Sequence, residues 1–332
     1  MKKTMVVLLI CCATLATWAS GGQEDASDGR DVLEISVSYS NQPGEPVDRA
    51  VRYWADLVAE RSGGAIVLTP FPSGQLGGQE TVQQQAQMGA NIIAISDYGS
   101  LADLVPDLGV IIAPYVGTSV EQKLELLRTD RFQDLIGQLD DQGYHVLVDD
   151  FYYGTRQLLT NRRVTTPEEM NGVKIRVQNL KIANYWALSV GAVPTPMPLS
   201  EAYTAMSQGI VEGIENPPAT LYGGKFHELA QYLILTNHNI HMTPWVVGTA
   251  FWESLSDEER EILTTTGAEM AAYATELIAS SEGEYIDLLA AEGVEVVEVD
   301  TAPFLANALA VMEGNFPEWS EGLYEETLNS LR

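Results

Sequence analysis

Twice along the chain a short run of alternating apolar and polar residues gives way to a run of helical spacing and then to another short apolar run. This rhythm constrains the fold more than any other feature of the sequence. Val32 to Ser38 (VLEISVS) alternates as a half-buried strand, and Val47 to Ser62 has helical spacing that stops at Gly63-Gly64. Ala65 to Pro70 reads as a strand. A Pro/Gly turn, a Gln-rich helix from Glu80 to Met88 closed by Gly89, and the apolar strand Ile92 to Ser96 follow. A β-α-β-α-β order implies a largely parallel sheet covered by helices, because parallel neighbours need a crossover long enough to hold a helix.

The rhythm resumes at Tyr144. YHVLVDDFYY reads as a strand, and Thr166-Pro167-Glu168-Glu169 as an N-cap, a proline at the first helical position and a capping glutamate, with Gly172 ending one turn. Val173 to Gln178 (VKIRVQ) is the next strand. Its period of two puts Val173, Ile175 and Val177 on one face and Lys174 and Arg176 on the other, so Arg176 is aimed away from its strand's core. A helix (EAYTAMSQ) ends at Gly209, and IVEGIENP leads through a short strand into an Asn216-Pro217-Pro218 turn. Ser256 and Glu259 form a capping box for a helix that can run to about Ala291. Roughly 35 residues at 1.5 Å each span about 50 Å, enough to brace two domains. The length of 332 residues also suits two domains.

Charge removes several function classes. With 46 acidic against 18 basic residues the formal net charge is −28, which excludes a nucleic-acid binder driven by phosphate contacts. The only two cysteines, Cys11 and Cys12, fall in the first dozen residues, so the rest of the chain has no disulfide framework and no thiolate nucleophile or metal site. Lys2 and Lys3 followed by the apolar run Met5 to Ala16 have the order of an export leader, assigned to 1–22. Two processing routes compete: lipidation at Cys11 or Cys12, or a signal-peptidase cut near Thr17-Trp18-Ala19 or Ala19-Ser20-Gly21. No other segment approaches the ~20 apolar residues of a membrane span. The expected mature protein is therefore soluble, or tethered to the membrane only by an N-terminal lipid anchor.

Charge is also unevenly spread. From Glu253 to Arg332 there are 19 acids and two bases, whereas Arg156 to Lys181 holds six bases against Glu168 and Glu169. A local reversal of sign is what capture of a small anion by an acidic protein requires. Arginine suits it, since its planar fork donates two parallel hydrogen bonds to a carboxylate and stays protonated. On charge pattern alone, ion pairs of Arg156 and Arg176 with Asp149, Asp150 or Glu169 are an equal reading. His238 and His241 (HNIH) have the spacing of two metal ligands but lack a third and fourth, and read as turn or hinge residues. Gly74-Gln75-Leu76-Gly77-Gly78 lacks the lysine and hydroxyl of a phosphate loop, and no serine sits in a GxSxG elbow. Phe151-Tyr152-Tyr153 reads as the end of a core strand or as the floor of a pocket beside Arg156.

Gly154-Thr155-Arg156, TTPEEMNGVKIRV, GAVPTPMPLSEAYTAMSQGIVEGIENP, KFHELAQYLILTNH and FPSGQLGGQE together resemble the DctP-type substrate-binding proteins of tripartite ATP-independent periplasmic (TRAP) transporters, over most of the chain. The resemblance implies an α/β fold: a two-lobed periplasmic binding protein with mixed sheets, a hinge and a long bracing helix. The lobes fall at 23–153 plus 242–281 and at 154–241 plus 282–332. It implies that Arg176 pairs with a substrate carboxylate, that Arg156 and Asn216 assist, and that Asn41 and Asp97 supply further polar contacts. Gln79 stands where sialic-acid binders of the family carry an acid, and Tyr153 and Trp245 add aromatic surface. The implied function is periplasmic capture of an organic acid, foremost a sugar acid, for delivery to a TRAP permease, with no catalysis, metal or cofactor. A sensor subunit, or a hydrolase of acidic sugars, is the alternative.

Overall fold

The computed structural model describes residues 32–312 and 314–331; the expected leader, with Cys11 and Cys12, lies outside the described residues. The chain runs β1 (Leu33–Ser38), α1 (Pro46–Arg61), β2 (Ile66–Phe71), α2 (Gln79–Gln87), β3 (Ile92–Ile95) and α3 (Tyr98–Leu101). Next come α4 (Val120–Leu127), α5 (Asp130–Gly137), β4 (Tyr144–Thr160), β5 (Lys174–Val177), α6 (Lys181–Ser189), β6 (Val193–Pro196) and α7 (Leu199–Ser207). Then follow β7 (Gly213–Asn216), α8 (Pro218–Gly223), β8 (Tyr232–Gly248), α9 (Thr249–Ser254), α10 (Asp257–Ala291), β9 (Glu295–Glu298), α11 (Ala302–Met312) and α12 (Leu323–Ser330). Both expected capping boxes are formed, at Thr166/Glu169 and at Ser256/Glu259. Pro46 opens α1, and Val47, Ala50, Val51, Trp54 and Val58 give it one continuous buried stripe.

The strands form one mixed sheet in the order β2-β1-β3-β8-β4-β7-β5-β6, with β9 added to the start of β8. Two parallel groups, β1 to β3 and β5 to β7, match the expected crossovers. The expectation of a largely parallel sheet misses the centre, where the long strands β4 and β8 run antiparallel to each other and to β7 and β3. At its edge, β6 carries Pro194 and Pro196, whose missing N–H groups discourage a further strand.

Three apolar clusters are formed among the described residues. One joins β1 to β3, α1, the first half of β4, the end of β8 and the middle of α10. The other two cover opposite faces of the second sheet half: Leu158 and Ile234 enter one, Leu159 and Leu233 the other, as a period of two requires. The 35-residue α10 contributes Leu263 and Ala274 to the first cluster and Leu289 to the third, so it braces both halves. Phe304 packs on the second cluster while Phe316 and Leu323 return to the first. The C-terminal stretch thus contributes to two of the clusters. Among the described residues no helix is long and apolar enough to cross a membrane.

Candidate functional site

The second half of β4 begins with an irregularity that shapes the site. The β4–β8 register slips between Tyr152 and Gly154, where Gly154 has φ +128° and a Cβ would stand 2.7 Å from Pro217. Only glycine suits that position. Glu282 of α10 holds the slip from behind, accepting from the Thr155 N–H at 2.5 Å and the Tyr152 hydroxyl at 2.6 Å. In front lies a cavity of about 640 Å³, in the range of small-molecule sites. Asn41, Gln79, Asp97, Tyr153, Arg156, Arg176 and Asn216 all line it.

Trp245, the eighth expected side chain, is not brought to this cavity. It is fully buried in the first core cluster, edge-on to Tyr39, Trp54 and Phe151. Those rings, from α1, β4 and the residue after β1, pack against it within the core. The acids considered as neighbours of the arginines are engaged elsewhere: Asp149 accepts from Gln133, Asp150 lies 3.8 Å from Arg128, and Glu169 closes its capping box.

Arg156 is paired inside the protein instead. The β4–β7 register sets Leu158 opposite Glu215, and Arg156 reaches that carboxylate with Nε at 2.5 Å and Nη2 at 2.8 Å, both side chains 3% exposed. Burial works to raise the Glu215 pKa, but the charge of Arg156 and hydrogen bonds from His238 and Arg156 hold it well below the usual carboxylate range. His238 stacks on Trp186 at 3.8 Å and reaches Glu215 at 3.3 Å; burial lowers its pKa, and the neighbouring Glu215 carboxylate works against that shift.

Arg176 has no such partner. Nε and Nη2 both donate to the carbonyl of Met197, at 3.0 and 2.8 Å, and among the described residues no carboxylate forms a salt bridge with it. Burial is the main cause that pushes its pKa down to about 10. Its strand alternates as expected, with Val173, Ile175 and Val177 in the core; on the opposite face Arg176 lines the cavity, while Lys174 is exposed.

Asp97 caps α3 by accepting from the Gly99 N–H at 2.8 Å, and its other oxygen accepts from Gln178 at 3.0 Å and His241 at 2.9 Å. It therefore orients two further cavity-lining side chains. Asn41 Nδ2 sits within hydrogen-bond distance of Glu45, Tyr153 and Thr220, at 2.7, 3.0 and 3.2 Å. The histidines are not turn residues, as their polar run had suggested: both lie within β8 and both are buried. Glu215, Gln178, His241 and Thr243 escaped the sequence reading of the site. The glutamate beside Asn216 in the E-N-P turn and the HNIH run were the available signals.

Two parallel strand groups, joined by a long antiparallel pair with a small-molecule cavity beside the junction, define a class: two-lobed ligand-binding proteins of the α/β type. Residues 37–317 match the family model described as DctP, bacterial extracellular solute-binding protein, family 7, and the chain belongs to that family. It is 30% identical to the sialic acid-binding periplasmic protein SiaP of Vibrio cholerae, over 91% of this chain and 92% of that one. A TRAP periplasmic solute-binding protein of Actinobacillus succinogenes with bound L-galactonate superposes with a TM-score of 0.89 at 48% identity, covering 90% of this chain and 99% of that one. One from Ochrobacterium anthropi with bound L-fuconate gives 0.88 at 37% identity, covering 91% and 100%.

Proposed function

We propose that the protein captures a sugar acid in the cavity through an ion pair between Arg176 and the ligand's carboxylate, and hands it to a TRAP permease in the membrane. One observation carries this reading: Arg176 is a buried cation without a carboxylate partner, whereas the neighbouring Arg156 is already neutralised by Glu215. A buried unpaired charge is unfavourable, and a single incoming carboxylate removes the imbalance. One unmatched arginine favours a monoacid over a dicarboxylate. The polar remainder of the wall, including Asn41, Gln79, Gln178 and Asn216, suits a hydroxylated chain, and the relatives that hold L-galactonate and L-fuconate support the same class.

Capture proceeds by closure of two lobes, 23–153 plus 242–281 against 154–241 plus 282–332. The pairing of Gly154 with His241 supports a hinge there, because both boundaries fall at one rung of the β4–β8 ladder. Closure excludes water and strengthens each charge-assisted bond. No step of this cycle needs catalysis.

Titration calorimetry with L-galactonate and L-fuconate tests the assignment. Arg176→Ala is expected to weaken binding by about 3 kcal/mol or more, because it leaves a buried carboxylate unpaired. Arg176→Lys is expected to recover only part of the loss, since lysine lacks the fork. Wild-type affinity in Arg176→Ala would overturn the assignment.

A further inference from the structure

The chain entering α6 belongs to a different core from the rest of that helix. Trp186 and Ala187 pack in the second cluster with Ile175 and Val177 of β5, whereas Leu180 and Ile182, 8% and 5% exposed, pack in the first with β1 to β3 and α3. Two contacts, two residues apart on both sides, make the join: Gln178 Nε2 donates to Asp97 Oδ2 at 3.0 Å, and Leu180 lies against Gly99. Gly99 sits in α3 without a positive φ, so its backbone does not demand glycine. Room demands it instead. A Cβ there would stand 2.8 Å from Ile112 Cδ1 and 3.1 Å from Leu180 Cδ1, so the missing side chain leaves a shallow socket that Ile112 and Leu180 fill together.

We propose that Leu180, seated on Gly99, is a latch between the two lobes that lengthens the stay of a bound ligand. Asp97, Gly99 and Ile112 fall in one lobe of the proposed pair, and Gln178 and Leu180 in the other. Parting the lobes about the Gly154–His241 rung withdraws Leu180 from its socket and returns an apolar side chain to water. A contact made only in the closed form shifts the equilibrium toward that form and so adds to apparent affinity. Its effect falls on release, because a ligand enters the open form, in which the latch is unmade. This inference rests on the reading of two lobes that close over a sugar acid.

The test uses the full chain with L-galactonate and L-fuconate, taking the tighter as reference, and follows binding by stopped flow and closure by small-angle X-ray scattering. Leu180→Ala is expected to raise the dissociation rate by about tenfold or more and to leave the association rate within about threefold of wild type. Without ligand its melting temperature should stay within about 2 °C of wild type, because the open form already exposes this side chain. Gly99→Ala, which sets a methyl group against Leu180, should weaken binding by itself and by a smaller factor when combined with Leu180→Ala. A larger fall in the ligand-free melting temperature of Leu180→Ala, or its failure to fold, would make Leu180 an ordinary core residue and overturn the inference. An unchanged dissociation rate also overturns it. So do equal losses from Gly99→Ala in both backgrounds, since Leu180 would then act on the ligand itself and not through the socket. In each of these cases a wild type that still compacts on adding the reference ligand leaves the two-lobe reading standing. Binding by wild type without compaction would instead remove the closure reading, and binding of neither hexonate the sugar-acid reading; the latch fails with either.

Discussion

Glu215 separates the roles of two arginines that share one cavity wall. By closing a bidentate pair with Arg156 it leaves Arg176 as the cation in need of a partner. The same logic of burial applies to two groups away from the arginines. Glu45 is buried with Asn41 and Thr220 against it, and desolvation pushes its pKa up to about 7. Lys123 is completely buried, donates to the Ile111 carbonyl, and is pushed down to about 7 by the same cause. Between about pH 4.5 and 7 the folded state keeps a proton on Glu45 that the unfolded chain has lost, so this group's contribution to stability falls as pH rises. Between about 7 and 10.5 the unfolded chain keeps a proton on Lys123 that the folded state has lost, so that contribution rises. The effects are on the order of 3 kcal/mol for Glu45 and 5 kcal/mol for Lys123 across their windows. Subtracting the melting-temperature profile of Glu45→Gln from that of wild type should expose the falling limb, and Lys123→Met the rising one. A flat difference for either variant would mean that folding does not shift that group's pKa.

Elements were legible where local chemistry decides them. Two capping boxes, a helix-opening proline and glycine stops located α1, α2, the one-turn helix after Thr166 and both ends of α10 to within about two residues, the usual uncertainty of helix ends. The strand VKIRV also showed the face on which Arg176 lies. What did not show was the length of β4 and β8, because strands buried on both faces lose the alternation that identifies a half-exposed strand. Polar residues inside them, such as His238, Asn239, His241 and Thr243, look like a loop and are in the strand because the site is there. For the same reason Trp245 looked like a pocket ring and is core. Gly154 marks where β4 changes character, and its substitution tests the element directly. Gly154→Ala introduces both an unfavourable positive φ and a contact with Pro217, and should lower stability by about 2 kcal/mol or more in chemical denaturation. A loss below about 0.5 kcal/mol, the range of neutral substitutions, would show that the backbone there relaxes freely.

At the scale of the whole molecule, the net charge of −28 opposes the proposed cargo. An anion approaching this protein meets a repelling field before it meets Arg176. The 19 acids beyond residue 252 lie mainly on α10 to α12 and their connections, many of them exposed, whereas Arg176, the cation proposed to receive the carboxylate, is buried. Salt screens the two contributions unequally. Raising ionic strength from about 10 mM to 150 mM shortens the Debye length from about 30 Å to about 8 Å, which removes most of the long-range repulsion and leaves the contact between Arg176 and a carboxylate largely intact. The association rate constant for a hexonate should therefore rise with salt over that range while its dissociation rate changes little. Stopped-flow fluorescence, using Trp186, which stacks on His238 beside the Arg156–Glu215 pair, as reporter, can follow both constants. An association rate that falls with salt would mean that a local positive field at the cavity mouth outweighs the acidic surface. Steering would then begin outside the cavity, and the unequal distribution of charge along the chain would act on the encounter as well as on the bound state.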